Sequence, residues 1–320
     1  MAVYNKIGGG SNRVTLDGKP PTERVNLKSI NTFIARDNIF QMICKEYFFK
    51  DKDVHYVVGT DNYLYKFKFG EELTRVDTNS MEDFKSTMVI KEGNALYTVK
   101  ANASTFIEIY KTENGNCTLI KRIRASSLKM SGIWSVFNLG KTIYILALTT
   151  NDVWHVFISN DFGTTITDIT KQIVILDNLN LRQIASYFIL IYKNVLFVQG
   201  DKYLVCFDGK TLKKLTNIDW DSNSSSLISE GHQCTDAPIF ATRIKYENVD
   251  RDTVYTHNIH EFVETTNGIS VKKIDATFKV DRHLNKILVN GKRLLYPVVE
   301  GGKDFLEYPV KAYIEDREKG

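Results

Sequence analysis

Short apolar runs, separated by turns that contain glycine, make up most of the chain from about residue 36 onward. This pattern is typical of β-strands, and long stretches with helical periodicity are scarce. In residues 63–69 the aromatic side chains alternate with other residues, so we expect Tyr63, Tyr65, Phe67 and Phe69 on one face of a strand. The most apolar run, residues 188–198, is broken by a Lys-Asn pair and predicts two buried strands joined by a tight turn.

Six similar units follow one another along the chain. Each has two apolar strands, a turn with glycine and a more polar third strand, and the first strands are expected to begin at residues 57, 95, 142, 195, 239 and 287. Apolar segments ahead of the first four units supply a candidate innermost strand at residues 39–43, 87–90, 133–137 and 185–191. Repeats of this length are typical of propeller blades. The sequence therefore predicts an all-β fold, a single β-propeller with six blades, or seven if the termini together build another.

The first 34 residues differ from the rest of the chain. They contain Gly8-Gly9-Gly10 and Pro20-Pro21, which favour flexible or irregular chain over regular strand pairing. We expect residues 1–34 to form an extended N-terminal arm that packs along the propeller or reaches a partner. The expected domains are this arm, a propeller at residues 35–314 and a polar tail at residues 315–320.

The composition is that of a folded protein with a sizeable core, since 43% of the 320 residues are apolar and 12% are aromatic. The net charge of +4 is near balance and gives no general case for binding nucleic acid or an anionic membrane. The N-terminus lacks the apolar stretch of a signal peptide, and no apolar run is long enough to span a bilayer. We therefore expect synthesis in a cytoplasm and no insertion into a membrane. Four widely spaced cysteines without a CxxC pair disfavour a disulfide framework.

One turn carries a recognisable motif. Ser159, Asp161, Gly163 and Thr165 form the pattern Ser-x-Asp-x-Gly-x-Thr, which resembles the Asp-box of sialidases and other β-propellers. The Asp161 carboxylate can accept hydrogen bonds from backbone N–H groups of the turn, and Gly163 can take a positive φ. The family usually has an aromatic residue where this chain has Ile166. The resemblance implies a structural turn between the third and outermost strands of a blade rather than a catalytic carboxylate.

Three other segments are candidates for binding. The basic residues of 121–124 suit contact with phosphate or an acidic glycan, or a charged outer strand that discourages aggregation. His257 and His260 have a metal-binding spacing only on a helix, whereas the predicted strand puts them on opposite faces. The long polar loop at residues 219–236 is either a solvated surface loop or a binding loop, in which Asp219 and Asp221 could hold a cation. The residues of this possible binding loop are Asp219, Trp220, Asp221, His232 and Asp236.

The Asp-box also raises the question of sialidase chemistry. Sialidases use an arginine trio, a tyrosine nucleophile with a glutamate partner, and a carboxylic acid/base residue. Their Phe/Tyr-Arg-Ile-Pro motif is missing here, and the nearest sequence is Thr242-Arg243-Ile244-Lys245 in the fifth unit. We assign no catalytic residue, no metal site and no cofactor. We expect a non-enzymatic protein, with a sialidase-like glycosidase as an alternative.

The first seven residues resemble the start of tail and baseplate proteins of phages that infect low-GC Gram-positive bacteria. This resemblance implies a structural component of a phage or phage-tail-like particle, located in the virion and made in the bacterial host cytoplasm. Residues 1–34 would dock on other virion proteins within a homo-oligomeric assembly, and the propeller would serve assembly or binding to a host receptor. The alternative is a free-standing propeller that binds carbohydrate such as a cell-surface glycan.

Overall fold

A computed structural model gives the fold of the chain. It describes residues 14–16, 23–26, 47–51, 54–58, 64–67, 74–76, 86–102, 105–185, 188–200, 203–215, 226–227, 231–235, 239–249, 252–266, 268–281, 288–290, 293–297 and 304–308. Side chains are described chiefly within residues 88–215 and 260–272, and most strands near the two ends of the chain are described by their backbone.

The first half of the described chain consists of β-strands connected as antiparallel meanders. Two short strands, β1 (Val14–Leu16) and β2 (Glu23–Asn26), come first. The first meander is β3 (Tyr47–Asp51), β4 (Val54–Val58), β5 (Leu64–Phe67) and β6 (Thr74–Arg75). The second is β7 (Ser86–Glu92), β8 (Ala95–Asn102), β9 (Phe106–Glu113) and β10 (Asn116–Arg124). The third is β11 (Gly132–Leu139), β12 (Thr142–Leu148), β13 (Trp154–Ser159) and β14 (Thr167–Asp168).

The second half continues in the same way. After β15 (Val174–Ile175), the fourth meander is β16 (Phe188–Tyr192), β17 (Val195–Gln199), β18 (Leu204–Phe207) and β19 (Thr211–Leu215). After β20 (Ser226–Leu227) and β21 (Gly231–Thr235), the fifth is β22 (Ile239–Val249), β23 (Asp252–Thr265) and β24 (Gly268–Asp281). The sixth is β25 (Leu288–Asn290), β26 (Arg293–Pro297) and β27 (Asp304–Tyr308). Short 3₁₀ helices occupy Ala125–Leu128, Thr170–Gln172 and Leu181–Ile184.

Consecutive meanders pack face to face through apolar side chains. Both faces of the second meander contribute to one buried cluster, which also takes Tyr56 from β4 and Ile145 from β12. A second cluster joins the third and fourth meanders, with Phe137 on β11 and Phe207 on β18. A third joins β17 to β23 through the rings of Phe197 and Phe262. Sheets stacked in chain order in this way are typical of propeller blades.

The first strands of several meanders lie close together. β21 pairs in parallel with β16 on one side and with β3 on the other, so it joins the fourth and first meanders into one ten-stranded sheet. β7 contacts β3, β11 and β21. The predicted fold class, an all-β propeller, is therefore confirmed at the level of its sheets, while the number of blades stays a prediction.

The two N-terminal strands pair with the last sheets of the chain. β1 runs antiparallel to β24, with Val14 opposite Val280, and β2 runs antiparallel to β27, with Glu23 opposite Glu307. β2 is thereby the fourth strand of the sixth meander. These strands are the parts of residues 1–34 that the structure describes, and the extended arm stays a prediction. The boundaries of the arm, the propeller and the tail stay predictions.

The strands agree with the sequence pattern in the middle of the chain and differ near its ends. β12 and β17 begin at the predicted residues 142 and 195, and the Lys-Asn turn at 193–194 joins β16 to β17. The first strand of the first meander, however, is β3 and not the predicted residues 39–43, which lie outside the described residues. β3 ends two residues before β4 begins, and such a short connection favours pairing of neighbouring strands.

Candidate functional site

The turn after β13 is closed by the side chains of Ser159 and Asp161. Asp161 Oδ1 accepts a hydrogen bond from the Thr165 N–H at 2.8 Å and from the Ser159 hydroxyl at 2.9 Å. Ser159 Oγ in turn accepts a hydrogen bond from the Gly163 N–H at 2.7 Å. The bond from the Thr165 backbone is the main cause that lowers the pKa of Asp161 below its ordinary value. The exposed carboxylate is thus held ionised as part of the turn.

The same turn packs against the second meander. Phe162 stacks on Tyr97 of β8 with ring centroids 3.6 Å apart and ring planes 8° from parallel. Gly163 has a φ of +87°, and a Cβ at this position would lie 2.8 Å from Ile109 Cδ1 and 3.1 Å from Ile123 Cδ1. The motif therefore connects two neighbouring sheets, and the geometry gives its residues a structural role in the turn.

The opposite end of the third meander exposes two tryptophans. Trp134 on β11 is 46% exposed, and Trp154 at the start of β13 is half-buried. The two indoles meet edge to face, with centroids 5.7 Å apart and planes at 80°. Trp134 lies in a β-bulge, because the register between β11 and β12 shifts between Ile133 and Ser135. A bulge bends the strand and changes the direction of a side chain, which accounts for an indole at the surface of an otherwise buried strand.

The connection between β12 and β13 borders the tryptophan pair. The Thr149 N–H donates to the Val153 carbonyl at 3.0 Å, and the Val153 N–H donates to Thr149 Oγ1 at 3.1 Å. Asp152 has a φ of +58° and donates its N–H to the Thr149 carbonyl at 3.2 Å. Thr150, Asn151 and Asp152 are exposed. The loop therefore has a fixed backbone and polar side chains that point away from the core.

A charged network lies on one face of the second meander. Glu108 accepts hydrogen bonds from the Tyr110 hydroxyl at 2.7 Å and from Arg122 Nε at 2.7 Å. Lys100 is buried, with its ammonium 4.2 Å from the centroid of the Tyr110 ring. Burial raises the pKa of Glu108, but the bonds from Tyr110 and Arg122 and the nearby positive charges outweigh it and lower the pKa overall.

Tyr110 and Glu108 are the residue types of a sialidase nucleophile and its partner, but their environment favours the neutral phenol. Burial and the bond to Glu108 raise the pKa of Tyr110 far above its ordinary value. A phenol that keeps its proton is a weak nucleophile. Both residues lie on β9, next to the edge strand of its sheet. All partners of this network lie on β8, β9 and β10, so it links neighbouring strands of one sheet.

A smaller polar group lies on the outer strands of the third meander. His155 Nδ1 is 2.9 Å from Asp168 Oδ2, and the Thr170 N–H donates to Asp168 Oδ1 at 2.9 Å. Burial raises the pKa of Asp168, and the bonds from Thr170 and His155 outweigh it and lower the pKa. Thr170 Oγ1 also accepts the Val156 N–H at 3.0 Å, so these residues anchor the strand that follows the turn at residues 159–165.

Of the five candidate residues in the predicted binding loop, the structure describes only His232. Asp219, Trp220, Asp221 and Asp236 lie outside the described residues, and His232 belongs to β21, of which only the backbone is described. This candidate stays a prediction. Across the residues that the structure describes, no group of three or more His, Cys, Asp or Glu side chains could hold a metal ion.

The other sequence candidates lie on sheets. The basic segment is the end of β10, the edge strand of the second sheet, where Arg122 pairs with Glu108. His260 is fully buried on β23, and of His257 on the same strand only the backbone is described. Cys206 is buried, which raises the pKa of its thiol to about 11. In the described part of the chain, no helix has the length and apolar character to cross a membrane.

Sequence reasoning missed the tryptophan pair. The chain has only three tryptophans, and two of them flank the apolar strand at residues 142–148. Register places Leu148 of β12 opposite both Gly132 of β11 and Trp154 of β13, so the ends of these strands lie side by side. That proximity was predictable from the meander, but the bulge at Trp134 was not.

The sheets define the class of this protein, an all-β chain of propeller-type blades. Three of the solved structures that resemble it serve as examples. The WD40 domain of SCAP from fission yeast has a TM-score of 0.36 and 12% identity over 76% of this chain, which spans only 65% of that domain. YCF48 bound to D1 peptide has a TM-score of 0.42 and 11% identity over 89% of this chain and 96% of its own. The major allergen Mala s 1 of Malassezia sympodialis has a TM-score of 0.41 and 12% identity over 89% of this chain and 93% of its own.

No protein-family model matches the sequence, and no curated protein matches it. Because the TM-scores above are all below 0.5, we base the fold on the sheets of this chain and take no function from those structures.

Proposed function

We propose that this chain is a non-enzymatic binding propeller and a structural component of a phage or phage-tail-like particle. The observation that carries the binding role is the pair of exposed Trp134 and half-buried Trp154, which meet edge to face at the surface of the third meander. Tryptophan is enriched among the residues that dominate binding energy at interfaces. In this proposal the propeller serves assembly or attachment to a host receptor.

The particle setting has its support in the sequence of the first seven residues. In this proposal, parts of residues 1–34 outside β1 and β2 dock on other virion proteins, and several copies of the chain take part in one assembly. The strands β1 and β2 then join the docking segment to the C-terminal sheets of the same propeller. The protein is made in the host cytoplasm and ends in the virion.

Purified particles provide the test of the particle setting. Particles from a culture that produces this protein are banded on a density gradient, and their proteins are identified by mass spectrometry. We expect the chain in the particle band at a constant ratio to other virion proteins, after a wash at high salt. The proposal would be contradicted by absence of the chain from washed particles. It would also be contradicted if the ratio of the chain to virion proteins varied as it does for host cytoplasmic proteins.

The tryptophan pair also supports the second candidate, a free-standing propeller that binds carbohydrate. Binding of glycan by the full chain, together with absence from particles, would favour it. The glycosidase alternative has less support, because the Phe/Tyr-Arg-Ile-Pro motif of sialidases is missing from the sequence. A fluorogenic sialoside assay of the purified wild-type chain tests it, and hydrolysis above the buffer control would contradict the non-enzymatic proposal.

A further inference from the structure

Three surface areas expose large apolar side chains among the described residues. Two are aliphatic, with Leu119 and Ile120 on β10 and with Val174, Ile175 and Leu176 around β15. The third contains Trp134, Val153 and the half-buried Trp154. Only this third area combines aromatic rings with an adjacent polar loop, so its ligand must suit both kinds of group.

The two indoles are held in place. Trp154 packs partly against the apolar cluster between the third and fourth meanders, which fixes its orientation. Trp134 rests edge to face on it, and the Ser131 N–H and hydroxyl both donate to the Leu148 carbonyl at 2.8 and 2.6 Å at the same strand ends. A preformed aromatic surface loses little conformational entropy when it binds a ligand.

The neighbouring loop supplies groups for hydrogen bonds. Within residues 149–153 the exposed side chains include the Thr150 hydroxyl, the Asn151 amide and the Asp152 carboxylate, and none of the five residues is basic. Amides and carboxylates pair well with hydroxyl groups. A loop with a carboxylate and no cation disfavours anionic ligands such as sialylated or sulfated sugars.

We propose that Trp134, Trp154 and the 149–153 loop form a binding site for a neutral oligosaccharide. A sugar ring has an apolar C–H face and hydroxyl groups around its rim. The C–H face packs on an exposed indole, and the hydroxyls bond to Asn151 and Asp152. Binding sites commonly combine aromatic walls with a few polar groups that fix orientation. This inference rests on the proposed binding function and names the ligand class of its site.

The test uses the full chain on a printed array of neutral, sialylated and sulfated oligosaccharides. The neutral member with the strongest signal is then titrated by calorimetry. We expect Trp134→Ala to raise the Kd about tenfold or more, the loss typical of removing a tryptophan anchor. Asn151→Ala should raise it about threefold, as for one lost hydrogen bond. Leu119→Ala removes a side chain that is equally exposed, at 45%, and should leave the Kd unchanged.

Trp154 also contacts the core, so Trp154→Phe is used beside Trp154→Ala, and the urea midpoint of each variant is measured. Trp154→Phe should retain most of the affinity, and Trp154→Ala should lose it even under conditions where it is folded. The proposal is overturned if no neutral oligosaccharide binds, if anionic members bind best, or if Trp134→Ala binds like the wild type. Particle mass spectrometry separates the two ideas: a chain present in particles that binds no glycan contradicts this inference alone.

Discussion

Replacing Gly163 with alanine tests whether the turn at residues 159–165 is fitted to the neighbouring sheet. Gly163 has a φ of +87°, in the left-handed region. A residue with a Cβ is destabilised there by about 1–2 kcal/mol. Gly115, in the turn between β9 and β10, has a φ of +81° and nothing within 4 Å of a built Cβ. Gly115→Ala is therefore a control that changes the backbone preference without changing the packing.

At Gly163 the added methyl group also meets neighbours. It would lie 2.8 Å from Ile109 Cδ1, 3.1 Å from Ile123 Cδ1 and 3.1 Å from Lys121 Cγ. The two isoleucines are only 0% and 2% exposed, so they cannot move into solvent to make room. Overpacking of this kind is destabilising by about 1–3 kcal/mol. We therefore expect Gly163→Ala to lower the free energy of unfolding by about 2–5 kcal/mol, against about 1–2 kcal/mol for Gly115→Ala.

Urea unfolding followed by tryptophan fluorescence measures both losses, provided that the slope with denaturant is the same in each variant. The informative quantity is the difference between the two losses in free energy of unfolding. It removes the shared backbone effect of a Cβ at positive φ and leaves the effect of the contact between the third and second meanders. Equal losses for Gly163→Ala and Gly115→Ala would refute the packing argument. A larger loss for Gly115→Ala would show that the turn accommodates a side chain.

Three further predictions concern other parts of the molecule. Glu108→Ala should lower the free energy of unfolding by about 2 kcal/mol or more, because it removes the acceptor of charge-assisted bonds. Tyr110→Phe should lower it by less, and urea titration of the two variants compares the losses. The pKa of Asp161 is lowered in the folded chain, so its carboxylate stabilises the fold above the unfolded pKa and this contribution is lost as pH falls through the folded pKa. Asp161→Asn should thus flatten the fall in urea midpoint below about pH 4, and an unchanged slope would contradict this. Deleting residues 1–26 should expose the edges of β24 and β27, lower the thermal midpoint and promote aggregation in light scattering; an unaltered midpoint would contradict the pairing.

Local signals in the sequence were sufficient for the middle of the chain. The Asn114-Gly115 and Lys193-Asn194 pairs form two-residue turns with positive φ at each position, as the turn chemistry of these residues favours. The Ser-x-Asp-x-Gly-x-Thr pattern contains in its own residues the donors and acceptors that close the turn. Features of this kind depend on residues that are close together in the chain, so the local sequence is enough to predict them.

Features that depend on distant residues were not predictable. The parallel position of β21 between β16 and β3, and the pairing of β1 and β2 with the last sheets, join segments far apart in sequence. The bulge at Trp134 changes the register by one residue, and nothing in the apolar run 133–137 marks it. The exposed indole of the candidate site was missed for this reason. The stack of Phe162 on Tyr97 is equally a property of two sheets together.

The packing of the turn at residues 159–165 on the second meander also depends on the order in which the chain is synthesised. A ribosome releases β7–β10 before it releases the turn, so the surface made by Tyr97, Ile109 and Ile123 is the earlier partner. The turn can close on its own hydrogen bonds, but Phe162 and Gly163 are seated only where that surface exists. During synthesis, the third meander therefore completes this contact against a surface that the chain has already released.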